Sequence, residues 1–280
     1  MIPVNIIEIL DDALIPPGRG HRIFTSLEGE LPGGSIKDRM VAGEMARWAA
    51  AGELRPGRIL TEASAGSTAK SLAHYAHEAG CRCVIFALDS LPRQHLQLLR
   101  VDLEKQGAEL RVVPLSDILD RIHAFSKENH ALYLNQMAAD GKRGHYTGFG
   151  RVIAEKLGSI DALIGAVGTG HSLLGTAAGL PPSTSIISAE PSEGEVPGVR
   201  NVAQTRFGDG DPVAPGDFTR RILVPAPPSS NQVIFESSAG PVQGGGSFAL
   251  VLSAAAEYLR NTENKQVFLI GAANYRKSFR

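Results

Sequence analysis

The chain has 280 residues, of which 43% are hydrophobic and 20% charged, and its formal net charge is −1. This length suits two α/β domains better than one, and the balanced charge lacks the basic excess that a nucleic-acid backbone requires. Lys, Glu, Arg or Gly interrupts every apolar stretch before the roughly 20 residues of a membrane span are reached. The start, Met1-Ile2-Pro3-Val4-Asn5, carries no basic n-region and no small-residue cleavage site. The expectation is a cytoplasmic protein with neither nucleic-acid nor membrane partners.

Strand-like and helix-like segments alternate along the chain. Residues 22–27 read as a short strand, and 38–51 as a helix with an apolar face at Met40, Ala42, Met45, Ala46, Trp48 and Ala49. A strand at 58–61 leads through a small-residue turn into a helix at about 68–79. Cys81 and Cys83 lie two apart in an apolar run. In a strand they point the same way, so a disulfide between them is strained, a metal site lacks ligands, and buried reduced thiols are expected. Residues 83–88 show no alternation and predict a strand buried on both faces. A helix at 93–106, a strand at 110–113 and a helix at 116–128 with Ser116 as N-cap follow. The pattern restarts with a buried strand at 162–167, then a strand at 185–189, a helix at 248–259 and a last strand at 266–270. Gly/Pro-rich loops fall at 192–198, 208–216 and 225–230. Such alternation predicts mostly parallel sheets with helices on both faces.

Three small-residue turns stand out. They are Pro32-Gly33-Gly34-Ser35-Ile36-Lys37, then Glu62-Ala63-Ser64-Ala65-Gly66-Ser67-Thr68, and Gly168-Thr169-Gly170-His171-Ser172. Glycines let backbone N–H groups approach an anion, and a helix N-terminus adds a favourable dipole. The third turn leaves a buried strand and enters a small-residue helix, so it is either a phosphate cradle or an ordinary tight βα turn. It lacks the third glycine of the dinucleotide fingerprint, no G-x-x-x-x-G-K-[ST] occurs, and Ala63 stands where a nucleophile elbow needs glycine. The eight histidines show no metal-ligand spacing, so no metal is expected. Lys37 follows a Gly-Gly turn at a helix start, where the helix dipole disfavours a cation. It is either a solvated surface lysine or a Schiff-base lysine in an enclosed site, and local physics leaves both open.

The run Pro32-Gly33-Gly34-Ser35-Ile36-Lys37-Asp38-Arg39 resembles the lysine motif of fold-type II pyridoxal 5'-phosphate (PLP) enzymes of the cysteine synthase and cystathionine β-synthase family. Residues 62–68 resemble that family's Thr-Ser-Gly-Asn-Thr substrate loop, and 168–172 its Gly-Thr-Gly-Gly-Thr phosphate loop. Asn135-Gln136, His145-Tyr146-Thr147-Gly148 and Gln243-Gly244-Gly245-Gly246-Ser247 fall in matching order, and the likeness runs from about Arg22 to Tyr275. The resemblance implies a tryptophan synthase β-like fold of two three-layer α/β domains. The larger PLP-binding domain is expected at 1–40 and 145–280. The smaller, mobile substrate-loop domain is expected at 41–144, closing over bound substrate.

By the same resemblance, Lys37 binds the PLP aldehyde as an internal Schiff base and shuttles the α-proton. Gly168, Thr169, Gly170, His171 and Ser172 hold the phosphate. Ser64, Ala65, Gly66, Thr68 and Gln136 surround the substrate carboxylate, and Gly198 touches the substrate amine. Ser67 stands where the family has an asparagine on the ring hydroxyl, and Ala65 where it has a serine. Gly271 stands where the family has a serine facing the pyridine nitrogen, so water or nothing is expected there. The chain stops at Arg280, soon after this strand, and the family's closing C-terminal segment is expected to be absent. The implied chemistry is β-elimination and β-replacement on a small serine- or cysteine-derived amino acid through an aminoacrylate. Losing oriented hydrogen bonds of about 1 kcal/mol each points to a diverged substrate or nucleophile. A serine/threonine dehydratase-like lyase and a PLP-fold pseudoenzyme with a binding role are the alternatives. A homodimer is implied by the resemblance alone.

Overall fold

A computed structural model of the chain describes residues 2–11, 19–138, 141–205, 211–227 and 232–277. Positions 208–210 and 228–230 of the expected loops, together with Met1 and Arg280, lie outside the described residues. The strands are β1 (Ile6–Ile9), β2 (Arg22–Ser26), β3 (Ile59–Ala63), β4 (Arg82–Leu88), β5 (Glu109–Val113), β6 (Leu132–Tyr133) and β7 (Ala162–Ala166). They continue as β8 (Ser185–Pro191), β9 (Arg220–Val224), β10 (Val233–Phe235), β11 (Val242–Gly244), β12 (Gln266–Ile270) and β13 (Asn274–Arg276). The helices are α1 (Lys37–Ala50), α2 (Ser67–Glu78), α3 (Arg93–Glu104), α4 (Ile118–Glu128), α5 (Gly144–Leu157), α6 (His171–Ala177) and α7 (Gly246–Leu259).

The chain divides into two compact units, one of Met1–Glu30 with Met137–Arg280 and the other of Leu31–Gln136. This grouping differs from the boundaries expected after residues 40 and 144. Residues 31–40 fall in the second unit, where α1 packs along α2. Residues 137–144 fall in the first, where α5 packs along α6.

The first unit is built on a six-stranded sheet of order β1-β2-β12-β7-β8-β9, parallel throughout except for β1 against β2. Its side chains alternate between two cores, as the pleat requires. Val267 and Leu269 of β12 join Ile164, Ile187, Val251 and Ala255 on the α7 side. Phe268 meets Phe149 of α5 on the other face, edge-on at 6.0 Å between ring centroids. A small antiparallel sheet, β10-β11-β13, completes the unit. Its three-residue strands are too short to show a periodicity, and the sequence gives no sign of them.

The second unit carries a parallel four-stranded sheet of order β5-β4-β3-β6. Val84 and Phe86 pack on Ile122 and Phe125 of α4, while α2 packs on the same two central strands with Leu72, Ala73 and Ala76 buried. Two local expectations are corrected here. Helix α4 starts at Ile118 with Asp117 in the N-cap position, and the Ser116 hydroxyl donates to Asp117 Oδ1 at 2.6 Å instead of capping the helix. Cys81 lies in the turn before β4 and is partly exposed, so only Cys83 is buried, and burial pushes its thiol up to about 12.

Candidate functional site

Within the second unit, Lys37 is the first residue of α1, one turn after the Gly33-Gly34 pair. Gly34 has φ +80°, a left-handed conformation that suits glycine. The Gly33 N–H donates to Asp38 Oδ2 at 2.7 Å and Ser71 Oγ donates to Asp38 Oδ1 at 2.5 Å, so a buried carboxylate ties the turn to α2. The Lys37 N–H donates to Ser35 Oγ at 3.2 Å. Burial pulls the Lys37 amine down to about 8, and the charge of Glu62 opposes part of that shift. The residue as a whole is half-buried, and the desolvation of its amine sets it apart from a solvated surface lysine.

Glu62 opens the second turn quoted above, where the sequence assigned it no role of its own. It is fully buried at the end of β3; Oε1 accepts the Ala63 N–H at 2.9 Å and Oε2 the Gln136 N–H at 3.1 Å. Both bonds fix the loop that follows β3. Thr68 Oγ1 donates to Gln136 Oε1 at 2.7 Å, and Gln136 Nε2 lies 3.4 Å from Ala63 O. Thr68 and Gln136, 68 positions apart, are thus brought together. Ser64 N–H donates to Phe86 O, and Ser64 Oγ accepts the Gly66 N–H at 3.3 Å. The Ala65 carbonyl accepts a hydrogen bond from His95 Nε2 at 2.8 Å, a contact no motif announces. Gly66 is the N-cap of α2 and Ser67 its first residue.

Within the first unit, the predicted residues collect at the carboxyl ends of parallel strands, where open α/β sheets place ligands. The turn 168–172 follows β7, Gly271 follows β12, and the loop bearing Gly198 follows β8. Gly170 has φ +78° and caps α6. The helix's first backbone bond, Leu174 N–H to Gly170 O, leaves the earlier N–H groups of the turn ahead of it. A Cβ on Gly168 would stand 2.4 Å from Gly198 O, so the two loops approach backbone to backbone. Thr169 is buried, Ser172 partly so, and the His171 imidazole is fully buried. The space beside Gly271 is not open. A Cβ there would meet Asn274 Nδ2 at 1.8 Å and its Cγ at 2.4 Å. Asn274 Nδ2 donates to Thr25 Oγ1 at 3.2 Å, and Thr25 Oγ1 donates to Leu269 O at 2.9 Å, so the amide is anchored.

Each group, taken within its own unit, suits one part of PLP. A glycine turn at a helix start offers backbone donors to a phosphate, and an amine held near 8 offers a nucleophile to an aldehyde. Among the described residues no cluster of His, Cys, Asp or Glu could hold a metal ion, and no helix is long and apolar enough to cross a membrane.

Comparison with known proteins agrees with this chemistry. The sequence pattern of the family described as "Pyridoxal-phosphate dependent enzyme" matches residues 13–215. The chain is 29% identical over 221 residues to a putative cysteine synthase of Sinorhizobium fredii, covering 74% of this chain and 64% of that protein. It is 28% identical over 200 residues to cysteine synthase B of Pseudomonas aeruginosa, covering 68% of this chain and 66% of that one. The match therefore spans less than two thirds of either relative's length. Among solved structures, a hydrogen sulfide-producing enzyme of Fusobacterium nucleatum superposes with a TM-score of 0.77 at 18% identity, covering 98% of this chain and 94% of that one. The O-acetylserine dependent cystathionine β-synthase of Helicobacter pylori superposes with a TM-score of 0.72 at 19% identity, over 97% and 92% of the two chains. These likenesses fix the fold as that of fold-type II PLP enzymes. With 203 of its 280 residues matched, counting 13 through 215, the chain belongs to the family of pyridoxal-phosphate dependent enzymes, and pyridoxal 5'-phosphate is its cofactor.

Proposed function

We propose that the protein catalyses PLP-dependent β-elimination and β-replacement on a small serine- or cysteine-derived amino acid, with a substrate or nucleophile diverged from ordinary cysteine synthesis. The observation that carries the reading is the state of Lys37, an amine lowered to about 8 by burial at the end of a rigid Gly-Gly turn. Similarity to two cysteine synthases supports the reaction class.

Bound PLP supplies an electron sink next to the α-carbon of the amino acid. Lys37 Nζ would hold the cofactor at its aldehyde carbon, and the same amine would move the α-proton of the substrate. An amine near 8 is neutral in an appreciable fraction at neutral pH, as a base must be. The turn 168–172 holds the phosphate through its backbone N–H groups and the hydroxyls of Thr169 and Ser172. The loop 64–68 and Gln136 orient the substrate carboxylate. Gly198 contributes its backbone beside the substrate amine.

The changes around that core support divergence. Ala65 offers no hydroxyl, its carbonyl is engaged by His95, and Ser67 is shorter than an asparagine. The anchored Asn274 amide takes the space a side chain on Gly271 would need. A cytoplasmic homodimer accompanies this reading.

The test is a visible absorbance band on adding PLP to the purified chain, absent from Lys37→Ala. Single amino acids are then screened for a shift of that band. Turnover of O-acetylserine with sulfide at the rate of a dedicated cysteine synthase overturns the divergence. Keto-acid release from serine without a second substrate favours a lyase, and a chain that ignores PLP favours a binding protein.

A further inference from the structure

In the first unit, a buried ion pair stands directly behind the turn 168–172. Arg200 lies two residues after Gly198, and Asp211 lies in a separate stretch. Their side chains are 5% and 3% exposed and meet through both carboxylate oxygens, Nη1 to Oδ2 at 2.6 Å and Nη2 to Oδ1 at 2.5 Å. A two-bond fork fixes orientation as well as distance. Arg200 Nε donates to Gly168 O at 2.8 Å, and Arg200 N–H donates to Val167 O at 2.8 Å. The guanidinium also donates to Thr205 O at 2.5 Å. Asp211 Oδ1 accepts the Val213 N–H at 3.1 Å, and Val213 packs on Gly170, its Cβ 3.0 Å from where a Cβ on Gly170 would lie. One arginine and one aspartate therefore bear on the turn from two sides, at Gly168 and at Gly170.

We propose that Arg200, held by Asp211, is the positioning residue of the phosphate turn. It fixes the Gly168 carbonyl so that the N–H groups ahead of α6 converge on one point, and it ties that point to the loop bearing Gly198. Arg200 is a positioning residue because it acts through Gly168 and its guanidinium is spent on protein acceptors. The chemistry argues for this role. Burying an arginine and an aspartate is costly and contributes little net stability, whereas an oriented fork keeps a glycine-rich turn, otherwise free in φ and ψ, in a single conformation. A second clasp secures the rest of the loop. Val202 N–H donates to Glu190 Oε2 at 2.8 Å, Arg221 pairs with Glu190 at 2.7 Å, and Arg221 Nη2 reaches Asn201 Oδ1 at 3.0 Å. Loss of the Arg200 fork thus loosens the turn locally while the strands behind it stay pinned.

The inference rests on the reading of 168–172 as the phosphate site, and the experiment separates the two. Apo full-length chain is titrated with PLP and, separately, with pyridoxal, which lacks the phosphate, following visible absorbance. The wild type is expected to prefer PLP by at least about tenfold. Arg200→Met is expected to lose most of that preference, through weaker PLP binding with pyridoxal affinity held within about twofold. Arg200→Lys, which keeps the charge without the fork, is expected to fall between them. A wild type that does not discriminate overturns the phosphate reading and the proposal with it. A discriminating wild type beside an Arg200→Met variant that discriminates equally, or that weakens both ligands equally, overturns the positioning role alone. If Arg200→Met does not fold, Asp211→Asn, which keeps the shape and removes the charge, is read by the same ratio.

Discussion

Ser71 Oγ donates to Asp38 Oδ1 at 2.5 Å, and Asp38 Oδ2 in turn accepts the N–H of Gly33, four residues before Lys37. A serine on α2 thereby reaches the turn that presents the reactive lysine. A Cβ on Gly33 would lie 2.2 Å from Asp38 Oδ1 and 2.8 Å from Ser71 Cα, so the three positions are fitted to one another. Ser71→Ala removes a donor from a buried carboxylate and is expected to destabilise the chain by about 1–3 kcal/mol. The midpoint of urea unfolding measures it. PLP incorporation at Lys37 should slow as well, because the turn loses one of its ties. An unchanged midpoint would mean that water replaces the hydroxyl.

The Lys37 amine titrates near 8 in the folded chain, against an ordinary 10.5. Only the neutral amine attacks an aldehyde, so the rate of PLP incorporation should rise with pH and level off above about 8. Glu62 holds the amine up against burial, so Glu62→Gln should move the inflection to lower pH. The stability linkage has a definite sign. Between about 8 and 10.5 the unfolded chain holds the proton that the folded chain has lost, so this group makes the apo chain more stable as pH rises through that window. Lys37→Met should flatten the rise in a pH series of thermal melts. An inflection near 10.5 in the incorporation rate would sink this account.

Gly271→Ser, the residue the resemblance places there, cannot be accommodated beside Asn274 as it stands. Its Cβ would meet the amide at 1.8–2.6 Å, far inside van der Waals contact. Overpacking of this kind typically costs about 1–3 kcal/mol. Combining it with Asn274→Gly should restore most of the loss, because the obstacle is a side chain. Denaturant midpoints of the two single variants and the double form a cycle that reads the relief directly, and additivity would show that the two positions do not compete.

Gly170→Ala places a Cβ on a residue at φ +78° and about 3 Å from Val213. The left-handed conformation alone costs an L-residue about 1–2 kcal/mol. The variant is expected to bind PLP more weakly than wild type, with pyridoxal much less affected. Equal weakening of both ligands would place the damage outside the phosphate turn.

The sequence was legible wherever a single element carries its own signal. Residues 83–88 and 162–167 read as buried strands because they are apolar without alternation, and 266–270 matches β12 residue for residue. The glycine turns and the lysine after the first left Lys37 open on local physics, and it was the resemblance of the ordered motifs to a known family that implied the cofactor. Elements with too few residues for a period, such as β6 and the three strands of the antiparallel sheet, left no such mark. The Ser116 cap was misread because Ser116 and Asp117 are both good N-cap residues, and only the backbone shows which one stands at the helix start.

By itself the sequence determined the alternating α/β plan, the lysine and the glycine turns, since these depend on local period and on residues with special backbone freedom. Tertiary structure decided what surrounds them. Asp38 meets Ser71, Glu62 meets Gln136, Arg200 forks onto Asp211, and Asn274 fills the place beside Gly271. The first three pairs join residues 33, 74 and 11 positions apart, and Asn274 is held beside Gly271 by Thr25, 249 positions away, so each polar group finds its partner only after the chain has packed. The lysine is written in the sequence, whereas its lowered pKa comes from desolvation opposed by Glu62, 25 residues downstream, and so belongs to the folded chain alone.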